Sequence, residues 1–212
     1  ASMLKKVGIA LFAAAVVTVA VIYVMVPDEA AIKSLIVERV SGQTGREVKV
    51  GAVSFSLDGE AKLVVQDLSI ANAEWAREPV LLRASRVEVV VEMMPLLEQQ
   101  LHMRDARADN ITVNLERGQN GERSWVFKQA ADDDVAPASR LDRLTVFNLA
   151  LNYFASGEAL RTEIAEVSLN QVAGSPTVQN IALSGTLGGT TIQVNGTLDG
   201  LARFAQQKGP LG

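Results

Sequence analysis

The amino-acid sequence predicts a mainly β protein that begins with a transmembrane helix and a short amphipathic helix. Near the start of the chain, a run of uncharged apolar residues is long enough to span a bilayer. After Arg46 the apolar residues recur at every second position instead of at helical spacing, and this alternation continues to Val194. Hydrophobic residues make up 48% of the 212 residues. This content allows enough apolar burial to exclude disorder as the main state of the chain.

The predicted transmembrane helix covers residues 7–26, a stretch of 20 residues without a charge. At about 1.5 Å per residue it spans roughly 30 Å, the thickness of a bilayer core. Lys5 and Lys6 precede it, so residues 1–6 are expected to stay in the cytoplasm as a short stub and the remainder to cross the membrane. A cleaved signal peptide is the alternative, but its apolar core usually has only about 7–15 residues.

The predicted amphipathic helix covers residues 28–45. Asp28 is a suitable N-cap, and Gly45 is a suitable C-terminal stop. Between them Ile32, Ile36 and Val40 recur at helical spacing and form an apolar stripe. The rest of the chain, residues 46–212, is predicted to be one β-rich unit.

About eight or nine strands are predicted in that unit, each with one apolar and one polar face, which is typical of an antiparallel sheet. Segment 95–108 is predicted to interrupt them, with a short helix near Pro95. The apolar face must be buried by closure into a barrel, by a second sheet, or by something that occupies an open trough. The alternation alone leaves these three solutions open, although the low aromatic content of 5% favours a lined groove.

Several classes of function are disfavoured by composition. The chain has no cysteine, and its formal charge of −4 argues against a nucleic-acid partner. His102 lies near Asp105, but this pair is predicted to be solvated on a surface turn. The acidic run at 132–134 lacks the glycine and the final glutamate of a calcium loop and is predicted to be a solvated loop. No catalytic motif stands out, so neither an enzyme nor a metal nor a cofactor is expected.

A succession of short motifs is more informative than any one of them. A Thr-Gly-Arg motif after the amphipathic helix is followed by an Asn-Ala-Glu-Trp motif, a Pro-Leu-Leu motif and a Ser-Trp motif. Their order and spacing over about 120 residues resemble the N-terminal region of the AsmA family of bacterial envelope proteins. The residues that carry the resemblance, expected to have structural roles, are Thr44, Gly45, Arg46, Asn72, Trp75, Pro95, Leu96, Leu97 and Trp125.

The resemblance implies a protein of the bacterial inner membrane whose body faces the periplasm. It implies a curled antiparallel sheet that forms an open hydrophobic groove, phospholipid as the bound partner, and a non-enzymatic role in lipid handling and outer-membrane biogenesis. The residues expected to line the groove are Val87, Val89, Val91, Ile111, Val113, Leu115, Leu149, Leu151, Val167, Leu169, Ile181, Leu183, Ile192 and Val194.

An accessory subunit that docks on another inner-membrane protein complex remains the alternative function. Strands are about 4.8 Å apart, so nine of them extend roughly 40 Å along a groove. This length is short for a bridge across the periplasm. The sequence is therefore expected to be the N-terminal part of a longer chain.

Overall fold

The structure, a computed structural model, describes residues 28–57, 60–92, 94–95, 101–127, 139–155, 157–172, 178–187 and 190–199. These residues form one helix and ten strands. The elements are α1 (Glu29–Thr44), β1 (Val48–Lys49), β2 (Val53–Leu57), β3 (Ala61–Ala71), β4 (Val80–Val91), β5 (Leu101–Arg117), β6 (Ser139–Leu141), β7 (Arg143–Ala155), β8 (Glu158–Gln171), β9 (Val178–Leu187) and β10 (Thr190–Asp199).

Three predicted features lie outside the described residues: the transmembrane helix at 7–26, the Leu96-Leu97 pair and the acidic run at 132–134. Within the described ranges, no helix has both the length and the apolar character needed to cross a membrane. Met94 and Pro95 are helical, as expected for the turn that precedes Leu96.

Helix α1 lies within the segment for which the sequence predicts an amphipathic helix. The Asp28 carboxylate accepts a hydrogen bond from the Ala30 N–H at 3.0 Å, which satisfies one of the unpaired donors of the first turn. Gly45, at φ 63°, ends the helix by donating its N–H to the Ser41 carbonyl. The stripe of Ile32, Ile36 and Val40 is buried against the sheet.

The ten strands form one open sheet with the order β1-β3-β4-β5-β7-β8-β9-β10, in which β2 also pairs with β3 and β6 with β5. The prediction of a wholly antiparallel sheet is wrong at its centre, because β5 runs parallel to both β6 and β7. A parallel neighbour requires a crossover of a dozen residues or more, and segment 118–138 is long enough to provide it. Alternation reports which residues share a face but not the direction of a strand, so the sequence pattern could not show this.

The predicted interruption at 95–108 is also wrong in its second half, because β5 begins at Leu101. The residues that continue its apolar face are the alanines Ala106 and Ala108, which pair with the larger Val89 and Val87 of β4. Alanine is a weak strand signal. A register shift between Val90 and Val91 further breaks the alternation at this end of the strand.

A line of bulges crosses five neighbouring strands at the same level of the sheet. On each of β3, β4, β5, β7 and β8 one residue is skipped in the pairing; these residues are Asp67, Ser85, Asn110, Asn148 and Ala165. Three of them have positive φ values of 52–53°, a conformation that Asp and Asn tolerate better than most residues. In the sequence of each strand, the apolar alternation changes phase by one position at this residue. The bulge compensates for that change, so the apolar residues before and after the line lie on the same face.

The line of bulges ends at β9, where Gly185 lies opposite the bulged part of β8. A Cβ atom at residue 185 would lie 2.6 Å from the Glu163 carbonyl oxygen and 2.7 Å from the Ile164 Cα. Both are backbone atoms of the neighbouring strand, which cannot move aside as a side chain can.

We predict that Gly185→Ala lowers the free energy of unfolding by about 1–3 kcal/mol, because the neighbouring backbone must shift. Gly196→Ala on β10 is the matched control, since its Cβ would meet only the Ile181 Cγ2 at 3.7 Å. Its effect should stay within about 0.5 kcal/mol. Urea unfolding of the full chain in detergent micelles measures both, and equal effects at the two positions would contradict the assignment of the strain to the bulge.

Candidate functional site

The apolar face of the sheet is the feature that brings the predicted lining residues together. The strand register aligns them in rows that run across the sheet, such as Val167 beside Leu183 and Leu183 beside Val194. Because the bulges keep the alternation in phase, every predicted lining residue lies on this one face. The opposite face carries the polar members of each strand, among them Glu88, Arg107 and Asn152.

Part of the apolar face is a closed core. Val87, Val89 and Val91 of β4 are at most 3% exposed and belong to one cluster with Ile32 and Ile36 of α1. The helix packs against β1 and β2. These three valines therefore lie within the protein core, and a ligand could reach them only if the covering residues moved.

The other part of the apolar face is only partly covered, although Leu149 and Ile181 still pack against the core that contains the β4 valines. On β7–β10 the predicted lining residues are half-buried or exposed, and Val194 is 51% exposed. We call this region the open strip; it comprises Leu149, Leu151, Val167, Ile181, Leu183, Ile192 and Val194. Among the predicted lining residues of β8, Leu169 is the exception, because it is buried and belongs to the main core.

Several of the predicted motif residues meet where α1 ends. The Arg46 guanidinium donates hydrogen bonds to the carbonyls of Asn72 at 3.1 Å and Ser124 at 3.4 Å. The Asn72 side chain in turn donates to the Asn114 carbonyl. Thr44, almost fully buried, accepts from the Arg46 N–H. These contacts tie the end of the helix to the β3–β4 loop and to the segment that follows β5.

The segment after β5 contributes an aromatic residue to a second, smaller core. Trp125 is buried with Leu81 and Leu115, and its ring lies 6.0 Å from that of Tyr153. The neighbouring Ser124 is fully buried, and its hydroxyl accepts from the Glu116 N–H at 2.9 Å. The Ser-Trp motif thus fixes the start of the crossover against the ends of β5 and β7.

A family model described as the AsmA family matches residues 2–197. The chain belongs to the AsmA family. No curated protein and no solved structure shows significant similarity to this chain. The AsmA match extends from before α1 into β10, so it includes the core, the open strip and the Arg46 contacts. Membership of the family indicates a role in outer-membrane biogenesis or lipid handling.

The AsmA motif residues do not all contribute equally to these contacts. Gly45 ends α1. Thr44, Arg46 and Asn72 form what we call the joint, the hydrogen-bonded contact of the helix end with the β3–β4 loop and with Ser124, whereas Trp125 belongs to the smaller core. Trp75 belongs to neither hydrophobic core, and 42% of its surface is exposed. The sequence pattern could not show the contribution of Ser124, because a buried serine hydroxyl leaves no mark on hydropathy.

The polar face of this AsmA sheet carries charge pairs within single strands, such as Arg86 with Glu88 on β4, and a pair between Lys62 on β3 and Glu88. A hydrogen bond from Arg86 lowers the pKa of Glu88; partial burial opposes this shift, and Lys62 adds to it. Asp109 raises the pKa of Arg107, whose guanidinium also lies 4.6 Å above the Phe147 ring. These charges lie on the same face as the buried side chains of Val64 and Val90, so this face is not polar throughout.

The prediction that His102 is solvated on a surface turn is wrong. His102 lies on β5 with 15% of its side chain exposed, and its ring sits between the carboxylates of Glu92 and Asp142. Sequence reasoning paired it with Asp105, because the two contacting acids are 10 and 40 residues away along the chain. Within the described ranges, no cluster of potential ligands could hold a metal ion.

We predict that Arg46→Ala lowers the free energy of unfolding by roughly 1–3 kcal/mol, because two carbonyls lose their charged donor. Arg46→Lys should fall between this variant and the wild type, since an ammonium group cannot match the planar guanidinium at two acceptors. Arg83→Ala, at an exposed position of β4, is the control and should change stability by less than about 0.5 kcal/mol. Urea unfolding of the full chain in micelles measures all three; equal losses for Arg46→Ala and Arg83→Ala would refute a role for the joint.

Proposed function

We propose that this protein is a non-enzymatic inner-membrane protein that handles phospholipid on its periplasmic side and so contributes to outer-membrane biogenesis. The observation that carries the proposal is the open strip. It continues the apolar face of the core across β7–β10, yet its side chains remain accessible. Family membership points to the same class of function.

The open strip has the chemistry that an acyl chain needs. Each methylene group moved from water to an apolar surface gains about 0.8 kcal/mol. Leu183 and Val194 pair directly across two strands, and Ile181 and Val167 flank them, so a chain laid across the strands meets aliphatic groups throughout. A sheet curled around this strip would form the open hydrophobic groove, with the headgroup left in water.

The proposed location follows from the sequence rather than from the described fold. Residues 7–26 act as the single membrane anchor, with Lys5 and Lys6 holding the N-terminus in the cytoplasm. All acidic residues follow this segment, so the exported body does not adhere to anionic lipid as a basic surface would. The body therefore stands in the periplasm, attached to the inner membrane by the helix.

Val194→Asp and Leu183→Asp should each reduce the phospholipid that co-purifies with the full chain by at least about fivefold, because a carboxylate on the strip would be desolvated by an acyl chain. Gln193→Asp and Ser184→Asp are matched controls: they form the neighbouring cross-strand pair and point to the polar face. The measurement is quantitative mass spectrometry of lipid per protein, with circular dichroism to confirm that each variant is folded.

Equal lipid loss in strip and control variants would contradict the proposal, as would a wild-type chain that carries no phospholipid. In that case the alternative, an accessory subunit that docks on another inner-membrane complex, would be favoured. Photocrosslinking from position 194 distinguishes the two directly, since a lipid adduct and a protein adduct differ in mass.

A further inference from the structure

The sequence contains a single histidine, and the structure places it at a junction of strands. His102 is the second residue of β5. Glu92 directly follows β4, and Asp142 forms the bend between β6 and β7. The backbone holds these segments together, because the Glu92 N–H donates to the His102 carbonyl and the Asp142 N–H to the Met103 carbonyl, each at 3.0 Å.

Both nitrogens of the ring contact an acid. The Nδ1 atom lies 2.8 Å from Glu92 Oε2, and the Nε2 atom lies 2.8 Å from Asp142 Oδ2. An ionised carboxylate can only accept hydrogen bonds, and a neutral imidazole has one N–H to donate. Two such bonds at once therefore require the doubly protonated ring.

The remaining charges around the ring are already paired. The second oxygen of Asp142 accepts from Arg140 Nε at 2.7 Å, and Arg140 also reaches the Gln171 side chain on β8. On β5 itself, the nearby Arg104 pairs with Glu60. Among the described charged groups, the carboxylates of Glu92 and Asp142 are the ones that contact the ring. At the oxygen of each that faces the ring, no described cation other than the protonated ring is in contact.

We propose that His102 is a proton-dependent clasp that fastens β4, β5 and the β6–β7 bend at one end of the sheet. With both nitrogens protonated, the ring donates to both acids. When one proton leaves, one carboxylate faces a nitrogen lone pair at hydrogen-bond distance, and the contact becomes repulsive. The clasp lies beside Met103, a buried residue of the apolar face, so its release loosens the border of that face.

The pH dependence follows from the two contacts. A ring with both protons donates to both acids, and a ring with one proton leaves one carboxylate without a donor. The clasp therefore stabilises the folded chain more in mildly acidic than in alkaline solution. This inference does not depend on lipid binding.

Because the chain has one histidine, selective ¹⁵N-histidine labelling of the full chain in detergent micelles reports on His102 alone. We expect both ring nitrogens to show imidazolium shifts at pH 7. Glu92→Gln and Asp142→Asn should each weaken these imidazolium signals, because the variant amide removes the anionic acceptor that one ring N–H contacts. Asp105→Asn is the matched control, since this acid is near in sequence but does not contact the ring, and it should leave the signals unchanged.

The wild-type spectrum decides the proposal even if a variant fails to fold. A neutral tautomer at pH 7 would overturn it, because one of the two contacts would then lack its proton. As a second readout, His102→Gln should shift the urea midpoint more at pH 6 than at pH 9. An equal shift at both values would indicate a role that does not depend on the proton, and this would overturn the clasp without affecting the proposed lipid function.

Discussion

The constraint on which this structure depends is that every strand must turn its apolar residues to the same face of one sheet. Side chains alternate along a strand, so an extra residue in a single strand would send all later side chains to the wrong face. Here the extra residue occurs in five neighbouring strands at the same level, from Asp67 on β3 to Ala165 on β8. The shift is thus shared, and the face stays apolar above and below it. Gly185 ends the line, because a strand without a bulge must approach the bulged backbone closely.

A continuous apolar face has to be shielded from water, and only part of this face is covered. Helix α1 covers the apolar face at β1 and β2, and the Arg46 hydrogen bonds hold the end of the helix to the β3–β4 loop and to the segment after β5. The parallel step from β5 to β7 places Trp125 over the ends of those strands. Beyond β7 the described chain supplies no further helix, and the aliphatic side chains of the open strip remain accessible. The division into core and strip follows from where the covering elements are, since the strands on both sides have the same pattern.

The sequence pattern could predict the helix, most strands and the face that each apolar residue occupies, because all three depend on local periodicity. It could not predict the parallel pairing of β5 with β7, since direction depends on the path of segment 118–138. It missed the first half of β5, where the apolar face consists of the small residues Ala106 and Ala108, which are a weak strand signal. It also missed the environment of His102, whose partners come from two other strands. Contacts between residues far apart in sequence leave no periodic signal.

The one-sided exposure of the strip sets the affinity that the proposed function can have. An acyl chain on β7–β10 touches protein on one side and water on the other, so it gains about half of the 0.8 kcal/mol per methylene that full burial provides. A closed pocket would hold a lipid tightly and release it slowly. An open strip binds weakly at each position but offers a neighbouring aliphatic side chain on the same face, such as Ile192 beside Val194 on β10. Weak positions next to one another suit movement of a lipid along the sheet better than its storage.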